Sequence, residues 1–183
     1  VRVWDVASGQ CITTLEGHAH CVHSVAVTPD GRQIISGSDD KTVRVWDVAS
    51  GQCTATLEGH TSYVRSVAVT PDGRQIISGS DDKTVRVWDV ASGQCTATLE
   101  GHTSYVASVA VTPDGRQIIS GSRDKTVRVW DVASGQCITT LEGHTKTVTS
   151  VAVTPDGRQI ISGSTDKTVR VWDVASGQCI TTL

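Results

Sequence analysis

Phenylalanine and methionine are absent from the 183 residues, and aromatic side chains account for only 4% of them. A hydrophobic core must therefore be built from valine, isoleucine, leucine, alanine and the five tryptophans. The β-branched residues among these suit pleated sheets. No window carries apolar residues at the spacing of a helical face, and turn signals recur every 8 to 12 residues. This composition predicts an all-β fold.

The chain also lacks basic runs and long apolar runs. Its formal net charge is −3, so binding to nucleic acid or to an anionic membrane surface has no electrostatic support. Without 18 consecutive apolar residues, we expect no membrane-spanning helix, and we find no signal peptide. The sequence begins at Val1 rather than methionine, which suggests a processed or trimmed fragment.

Six cysteines are present, but their spacing argues against a disulfide scaffold. Five of them recur at one position of a repeat: Cys11, Cys53, Cys95, Cys137 and Cys179. A disulfide needs Cα atoms within about 7 Å, closer than we expect equivalent outer strands to come. We therefore predict free thiols, packed as small hydrophobic side chains, and a reducing compartment, the cytoplasm.

A period of 42 residues organises the whole chain, as the tryptophans and histidines show. A fixed period of this length indicates an array of supersecondary units. In one unit, turn residues separate four strand-like segments at 23–28, 32–38, 42–48 and 52–57. We name these strands a, b, c and d, and predict that they form one antiparallel sheet.

Each period also contains a Gly-His pair, such as Gly59-His60, followed by a Trp-Asp pair, such as Trp88-Asp89. With four strands per unit, this pattern resembles the WD40 repeat of β-propellers. The closest resemblance is to bacterial arrays of near-identical blades, whether recently amplified or consensus-designed. The resemblance implies a half-blade of strands c and d at 1–15, followed by blades 1 to 4 at 16–57, 58–99, 100–141 and 142–183.

This count of four and a half blades implies bare end faces. Propellers close rings of about four to eight blades, and blade faces need a neighbour. We therefore expect a homodimer that completes a ring of eight or nine blades. Residues 169–183 repeat residues 1–15 letter for letter, so the surplus half-blade would be added or exchanged at a junction.

The resemblance implies a structural tetrad of His, Ser, Asp and Trp in each blade. Its members would be His18, Ser36, Asp40 and Trp46; His60, Ser78, Asp82 and Trp88; His102, Ser120, Asp124 and Trp130; and His144, Ser162, Asp166 and Trp172. A buried carboxylate needs donors and a buried indole N–H needs an acceptor, which such a chain supplies. Four copies of a hydrolase triad would be odd, so we predict a structural role and no enzyme activity.

One cluster looks like a metal site: His18, His20, Cys21 and His23. Only residues 21 and 23 share a side of an extended segment, and His18 is assigned to a tetrad. Two ligands do not build a closed tetrahedral site, so we predict no metal and no cofactor.

The repeats differ at only seven of 42 positions, those of residues 12, 13, 19, 20, 21, 23 and 39. Strand alternation places five of these on one rim, formed by the d–a loops and b–c turns. We call the following set the variable rim: Cys21, His23, Asp39, Tyr63, Arg65, Asp81, Tyr105, Ala107, Arg123, Lys146, Thr147, Thr149 and Thr165.

These residues lead to a function hypothesis. The WD40 resemblance implies protein or peptide binding at this rim, and tyrosine and arginine commonly anchor interfaces. We therefore expect a non-enzymatic interaction platform, a scaffold or sensor module, with itself and an unknown protein or peptide as partners. Alternatives are neutral drift in a purely structural or designed array, and glycan binding. Tyr63 and Tyr105 occur in only two blades, which argues against the glycan reading.

Overall fold

The computed structural model describes residues 1–183 and contains strands and turns but no helix. The eighteen strands are β1 (Arg2–Trp4), β2 (Cys11–Thr14), β3 (Val22–Val27), β4 (Gln33–Ser38), β5 (Val43–Asp47), β6 (Cys53–Leu57), β7 (Val64–Val69), β8 (Gln75–Ser80), β9 (Val85–Asp89), β10 (Cys95–Leu99), β11 (Val106–Val111), β12 (Gln117–Ser122), β13 (Val127–Asp131), β14 (Cys137–Leu141), β15 (Val148–Val153), β16 (Gln159–Ser164), β17 (Val169–Asp173) and β18 (Cys179–Thr182). The prediction of an all-β fold is confirmed.

The strands form four four-stranded antiparallel sheets and one two-stranded sheet, each in simple chain order. Blade 1 is β3–β6, blade 2 is β7–β10, blade 3 is β11–β14 and blade 4 is β15–β18, while β1 and β2 form the half-blade. The observed strands agree with the predicted segments to within one residue at each end. The a–b turn ends strand a because Asp30 accepts hydrogen bonds from the Thr28 hydroxyl and the Arg32 amide.

Successive blades pack face to face through apolar side chains. Between blades 1 and 2 the buried cluster contains Ile35, Val43, Val45, Leu57, Val64, Val67, Ile76 and Trp88, and the next two junctions repeat it. Adjacent isoleucines of strand b point to opposite faces, so Ile76 packs on blade 1 while Ile77 packs on blade 3. A hydrogen bond from the Val67 amide to the Ser24 hydroxyl, 3.1 Å long, also crosses the first junction.

The half-blade lies against blade 1 in the position that strands c and d of a preceding blade would take. Leu15 packs with Ile34 and Trp46, and Val1 and Val3 lie at the edge of this small cluster. Strand b is missing from this sheet, so Trp4 has no serine partner and is 53% exposed.

In the single chain the outer face of blade 4 is uncovered, and that of blade 1 is covered only in part, by the half-blade. On blade 1, Val25 is 55% exposed, although its equivalent Val67 is buried. On blade 4, Leu183 is 74% exposed, and Val169 is also exposed. A Cβ added to Gly79 would meet Val106 at 2.7 Å, whereas one added to Gly163, at the same position of blade 4, would meet nothing within 4 Å.

All six cysteines are free, but the prediction that they pack as small hydrophobic side chains is wrong. Cys95 is partly buried and the other five are exposed. Five of the six begin strand d, the outermost strand of each sheet, where no neighbouring blade covers them. The sixth, Cys21, precedes strand a of blade 1 in the d–a loop. The structure contains no helix long and apolar enough to cross a membrane.

Candidate functional site

The tetrad residues of blade 2 form one buried chain of hydrogen bonds. Trp88 Nε1–H donates to Ser78 Oγ over 2.8 Å, and Ser78 Oγ lies 2.8 Å from His60 Nε2. His60 Nδ1–H donates to Asp82 Oδ2 over 2.7 Å. Because Nδ1 carries the proton toward the carboxylate, Nε2 can accept from the serine hydroxyl. The chain ties strand b, strand c and the d–a loop together.

The same geometry recurs in the other three blades. The His Nδ1 to Asp Oδ2 distances are 2.7, 2.7 and 2.8 Å in blades 1, 3 and 4, and each tryptophan donates to its serine over 2.8 Å. The structure therefore brings together His18, Ser36, Asp40 and Trp46; His102, Ser120, Asp124 and Trp130; and His144, Ser162, Asp166 and Trp172.

The Asp82 carboxylate is saturated with donors. Oδ2 also accepts from the Thr61 amide at 3.0 Å, and Oδ1 accepts from the Thr84 hydroxyl at 2.7 Å and the Thr84 amide at 3.0 Å. Burial opposes ionisation of this carboxylate, but the hydrogen bonds from His60 and Thr84 outweigh it and hold its pKa well below its ordinary value. The carboxylate is thus a fixed, ionised anchor.

Burial also decides against a hydrolytic reading of the Ser, His and Asp residues. Ser78 is fully buried and His60 is buried beneath the loop that carries it. The serine hydroxyl is occupied by the indole on one side and the imidazole on the other. A nucleophile must reach a substrate carbonyl, and this oxygen has no approach. The geometry is that of a structural hydrogen-bonded chain, which holds strand b, strand c and the d–a loop together.

Two partners of the tetrad escaped the sequence reasoning. The first is the threonine two positions after each aspartate, as in Asp82 and Thr84, a spacing that signals a side-chain turn. The second is Arg86, whose guanidinium carbon lies 5.9 Å from the centre of the Trp88 ring. Gly59 has a φ of 152°, and a Cβ there would meet Arg86 Nη1 at 2.8 Å. Glycine precedes the histidine because the guanidinium occupies that space.

On the variable rim, charged side chains link blades 1 and 2. His23 Nε2 lies 2.6 Å from Asp39 Oδ1 and 3.0 Å from Arg65 Nη1. Arg65 donates from Nε and Nη2 to both oxygens of Asp81, over 2.9 and 2.7 Å. These bonds to Asp81 raise the pKa of the Arg65 guanidinium above its ordinary value. The second residue of strand a thus pairs with the first residue of the b–c turn in each of these blades.

Blade 3 breaks this pairing. At the equivalent positions it carries Ala107 and Arg123, and Arg123 has no ion-pair partner in the chain. Its guanidinium carbon lies instead 5.5 Å from the centre of the Tyr105 ring, as that of Arg65 lies 5.1 Å from the Tyr63 ring. His23, Arg65, Tyr105 and Ala107 line a shallow depression that spans three blades.

Blade 4 carries a neutral version of the same positions. The Thr149 hydroxyl donates to the Gly163 carbonyl over 3.2 Å, and the Thr165 amide donates to the Thr147 carbonyl over 2.9 Å. Thr149, Thr165 and Lys146 are exposed. Cys21 is exposed in the d–a loop of blade 1, and no group of three or more histidine, cysteine, aspartate or glutamate side chains is placed to hold a metal ion.

Comparison with known proteins agrees with this architecture. The family model described as "WD domain, G-beta repeat" matches residues 9–47, 51–89, 93–131 and 135–173, so each match runs from strand d of one blade to strand c of the next. Single repeats also resemble fungal proteins. The nuclear distribution protein PAC1 of Coccidioides posadasii is 46% identical over 41 residues, which are 22% of this chain and 9% of that protein.

Two further relatives give the same result. The nuclear distribution protein nudF 2 of Penicillium rubens is 46% identical over 43 residues, 24% of this chain and 9% of that protein. An uncharacterized WD repeat-containing protein of Schizosaccharomyces pombe is 45% identical over 40 residues, which are 22% of this chain and 10% of that protein. The chain thus aligns with about a tenth of the length of these relatives. WD40 repeats in general mediate protein–protein interactions, and the four matched repeats cover most of the sequence: the chain belongs to the WD40 repeat family.

Proposed function

We propose that the chain is a non-enzymatic platform for protein or peptide binding, and that the variable rim is its contact surface. One observation carries this proposal: five of the seven positions at which otherwise near-identical repeats differ lie on one rim, and several of their side chains contact each other there. The opposite rim is built from the invariant a–b and c–d turns. Sequence difference is thus concentrated where a partner would be distinguished.

The pattern of substitution favours this reading over neutral drift. The two rim positions change together between blades 2 and 3, from Arg65 with Asp81 to Ala107 with Arg123, while the tetrads stay constant. Exposed tyrosine and arginine side chains are also the common anchors of protein interfaces, and Tyr63 is 42% exposed. The purely structural alternative predicts no such chemistry at these positions.

A paired pull-down tests the platform. The rim variant carries Tyr63→Ala, Arg65→Ala, Tyr105→Ala and Arg123→Ala, and the control variant carries Arg32→Ala, Arg74→Ala, Arg116→Ala and Arg158→Ala on the opposite rim. Proteins that the parent and the control retain, and that the rim variant releases, support the proposal. If all three chains retain the same proteins, the rim is not the contact surface and the structural alternative stands.

We also propose that these 183 residues self-associate through their two outer faces as a homodimer, closing a ring of eight or nine blades. The exposed face of blade 4 has the same isoleucine, valine and leucine positions as the faces that blades 1 to 3 bury, and the exposed face of blade 1 has those that blades 2 to 4 bury. Each face therefore complements the other end of a second copy, once the half-blade that packs on Ile34 and Trp46 of blade 1 is displaced or exchanged. Large exposed apolar faces are typical of such interfaces.

Gly163→Val tests this self-association without disturbing the inner junctions. The added side chain points into open space in one chain, but it would meet Val22 and Val25 of a second copy, as Gly79 meets Val106 and Val109. Sedimentation should show twice the 19.3 kDa chain mass for the parent and a lower mass for the variant. A parent that stays monomeric at micromolar concentration contradicts the proposal.

The free thiols support the cytoplasm as the place of action.

A further inference from the structure

The variable rim contains two stacked tyrosine–arginine pairs, and only one of them has a carboxylate. Arg65 stacks on Tyr63 and is bonded by Asp81, while Arg123 stacks on Tyr105 and has no carboxylate partner. We propose that Arg123 and Tyr105 bind an aspartate or glutamate side chain of an acidic peptide partner. This inference rests on the proposed interaction function and names the chemistry of its ligand.

The pair in blade 2 shows how a carboxylate binds in this setting. Both oxygens of Asp81 accept from Arg65, over 2.9 and 2.7 Å, in the bidentate geometry that guanidinium and carboxylate groups favour. The tyrosine ring covers one face of the guanidinium, with its centre 5.1 Å away. Such stacking restrains a flexible arginine before the ligand arrives, which lowers the entropy cost of binding.

Blade 3 offers the same stacked guanidinium with its edge unoccupied. The turn that carries Arg123 is held by a 3.0 Å hydrogen bond from its amide to the Tyr105 carbonyl. Ala107 stands where blade 2 has Arg65, so strand a of blade 3 places no long side chain beside Tyr105. A ligand carboxylate at Arg123 would therefore restore an ion pair that blades 1 and 2 make internally.

The surrounding charges favour a peptide with more than one acidic residue. The aspartates at the position of Arg123 in blades 1 and 2, Asp39 and Asp81, are already paired with His23 and Arg65. In the direction of blade 4 the rim carries the cation Lys146 and the neutral Thr149 and Thr165. Arg123 and Lys146 have no ion-pair partner in the chain, so each can contact an acidic side chain of a ligand.

The chain provides its own control variant. Residues 58–95 and 100–137 differ only at Arg65 versus Ala107 and Asp81 versus Arg123. The double variant Ala107→Arg with Arg123→Asp makes the rim of blade 3 identical to that of blade 2. Blade 2 shows that a blade with this rim sequence folds within the array. It replaces the open guanidinium with an internal ion pair. Arg123→Gln, which removes only the charge, is the second variant.

The experiment selects peptides from a random display library on the immobilised parent chain. Enriched sequences are synthesised with a fluorescent label, together with forms in which every aspartate and glutamate is replaced by its amide. We expect acidic sequences whose affinity falls about tenfold to a hundredfold for the amide forms and for both variants, since a charge-assisted bidentate contact is lost. Binding should also weaken as NaCl is raised.

The other outcomes separate this inference from the platform proposal. If the enriched peptides lack acidic residues, or bind Arg123→Gln and the double variant as tightly as the parent, the acidic-ligand inference is wrong. Loss of those same peptides on Tyr63→Ala would leave the platform standing. If no peptide is enriched over the display background, both proposals are contradicted.

Discussion

Replacing Ser78 by alanine should destabilise the chain more than the loss of a single oxygen atom suggests. Its hydroxyl is the only acceptor for Trp88 Nε1–H and the only donor to His60 Nε2, and all three groups lie in the interior of blade 2. Alanine therefore leaves two buried polar groups without partners. Each orphaned buried group costs about 1–3 kcal/mol, so we expect a loss of about 2–6 kcal/mol in the free energy of unfolding.

For a chain of this length, each kcal/mol shifts the melting temperature by about 2–4 °C, so the variant should melt about 4–24 °C lower. Urea unfolding followed by tryptophan fluorescence and thermal melts followed by circular dichroism measure both quantities. Ser62→Ala is the control, because its side chain makes no hydrogen bond within the chain; it should stay within about 0.5 kcal/mol of the parent.

A double variant tests the mechanism as well as the magnitude. Trp88→Phe removes the indole N–H, so Ser78→Ala in that background orphans only the imidazole. The combined loss should therefore be smaller than the sum of the single losses, by about 1 kcal/mol. If Ser78→Ala alone costs less than about 0.5 kcal/mol, the hydrogen-bonded chain does not stabilise the blade and the reasoning fails.

Three further predictions follow from the buried carboxylates, the glycines and the cysteines. The pKa of Asp82 is lower in the folded state than its ordinary value, so stability should be constant above about pH 5 and fall below about pH 4 as the unfolded state takes up protons first. Urea midpoints at pH 7, 5 and 3 measure this, and equal midpoints would contradict it. Gly79→Ala should cost about 1–3 kcal/mol because its Cβ would collide with Val106, whereas Gly163→Ala should cost nothing in the monomer. Urea titrations at concentrations that keep the chain monomeric compare them, and equal losses would refute the packing argument. All six thiols should react with a colorimetric thiol reagent without denaturant, and protection of more than one would contradict the exposed positions.

The fold and the tetrads were predictable because the same turn and tetrad residues recur at the same positions of each repeat. A 42-residue period fixes the length of each unit, and turns such as the one at Asp30 and Gly31 mark each strand boundary four times over. The pairing of Ser78 with Trp88 could be anticipated from the WD40 resemblance together with the need of a buried indole for an acceptor. Repetition turns a weak local signal into a consistent one.

Contacts between blades and solvent exposure could not be predicted in the same way. The contact between His23 and Arg65 joins residues one full period apart, and no spacing rule within a unit indicates it. The exposure of Cys53 was missed because its burial depends on what covers strand d, which the sequence of a single unit does not encode. Thr84 was overlooked although its place two residues after Asp82 is a local turn signal.

Every hydrogen bond of a tetrad begins and ends inside one blade, within the 29 residues from the histidine to the tryptophan. Blades join each other through the same valine and isoleucine surfaces each time, with one recurring serine-to-amide bond. Unequal crossing-over between gene copies of such a unit would lengthen or shorten the array, and every buried donor of a tetrad would keep its acceptor. The architecture thus tolerates changes in copy number, and a lineage can vary the size of the assembly while keeping its interior chemistry intact.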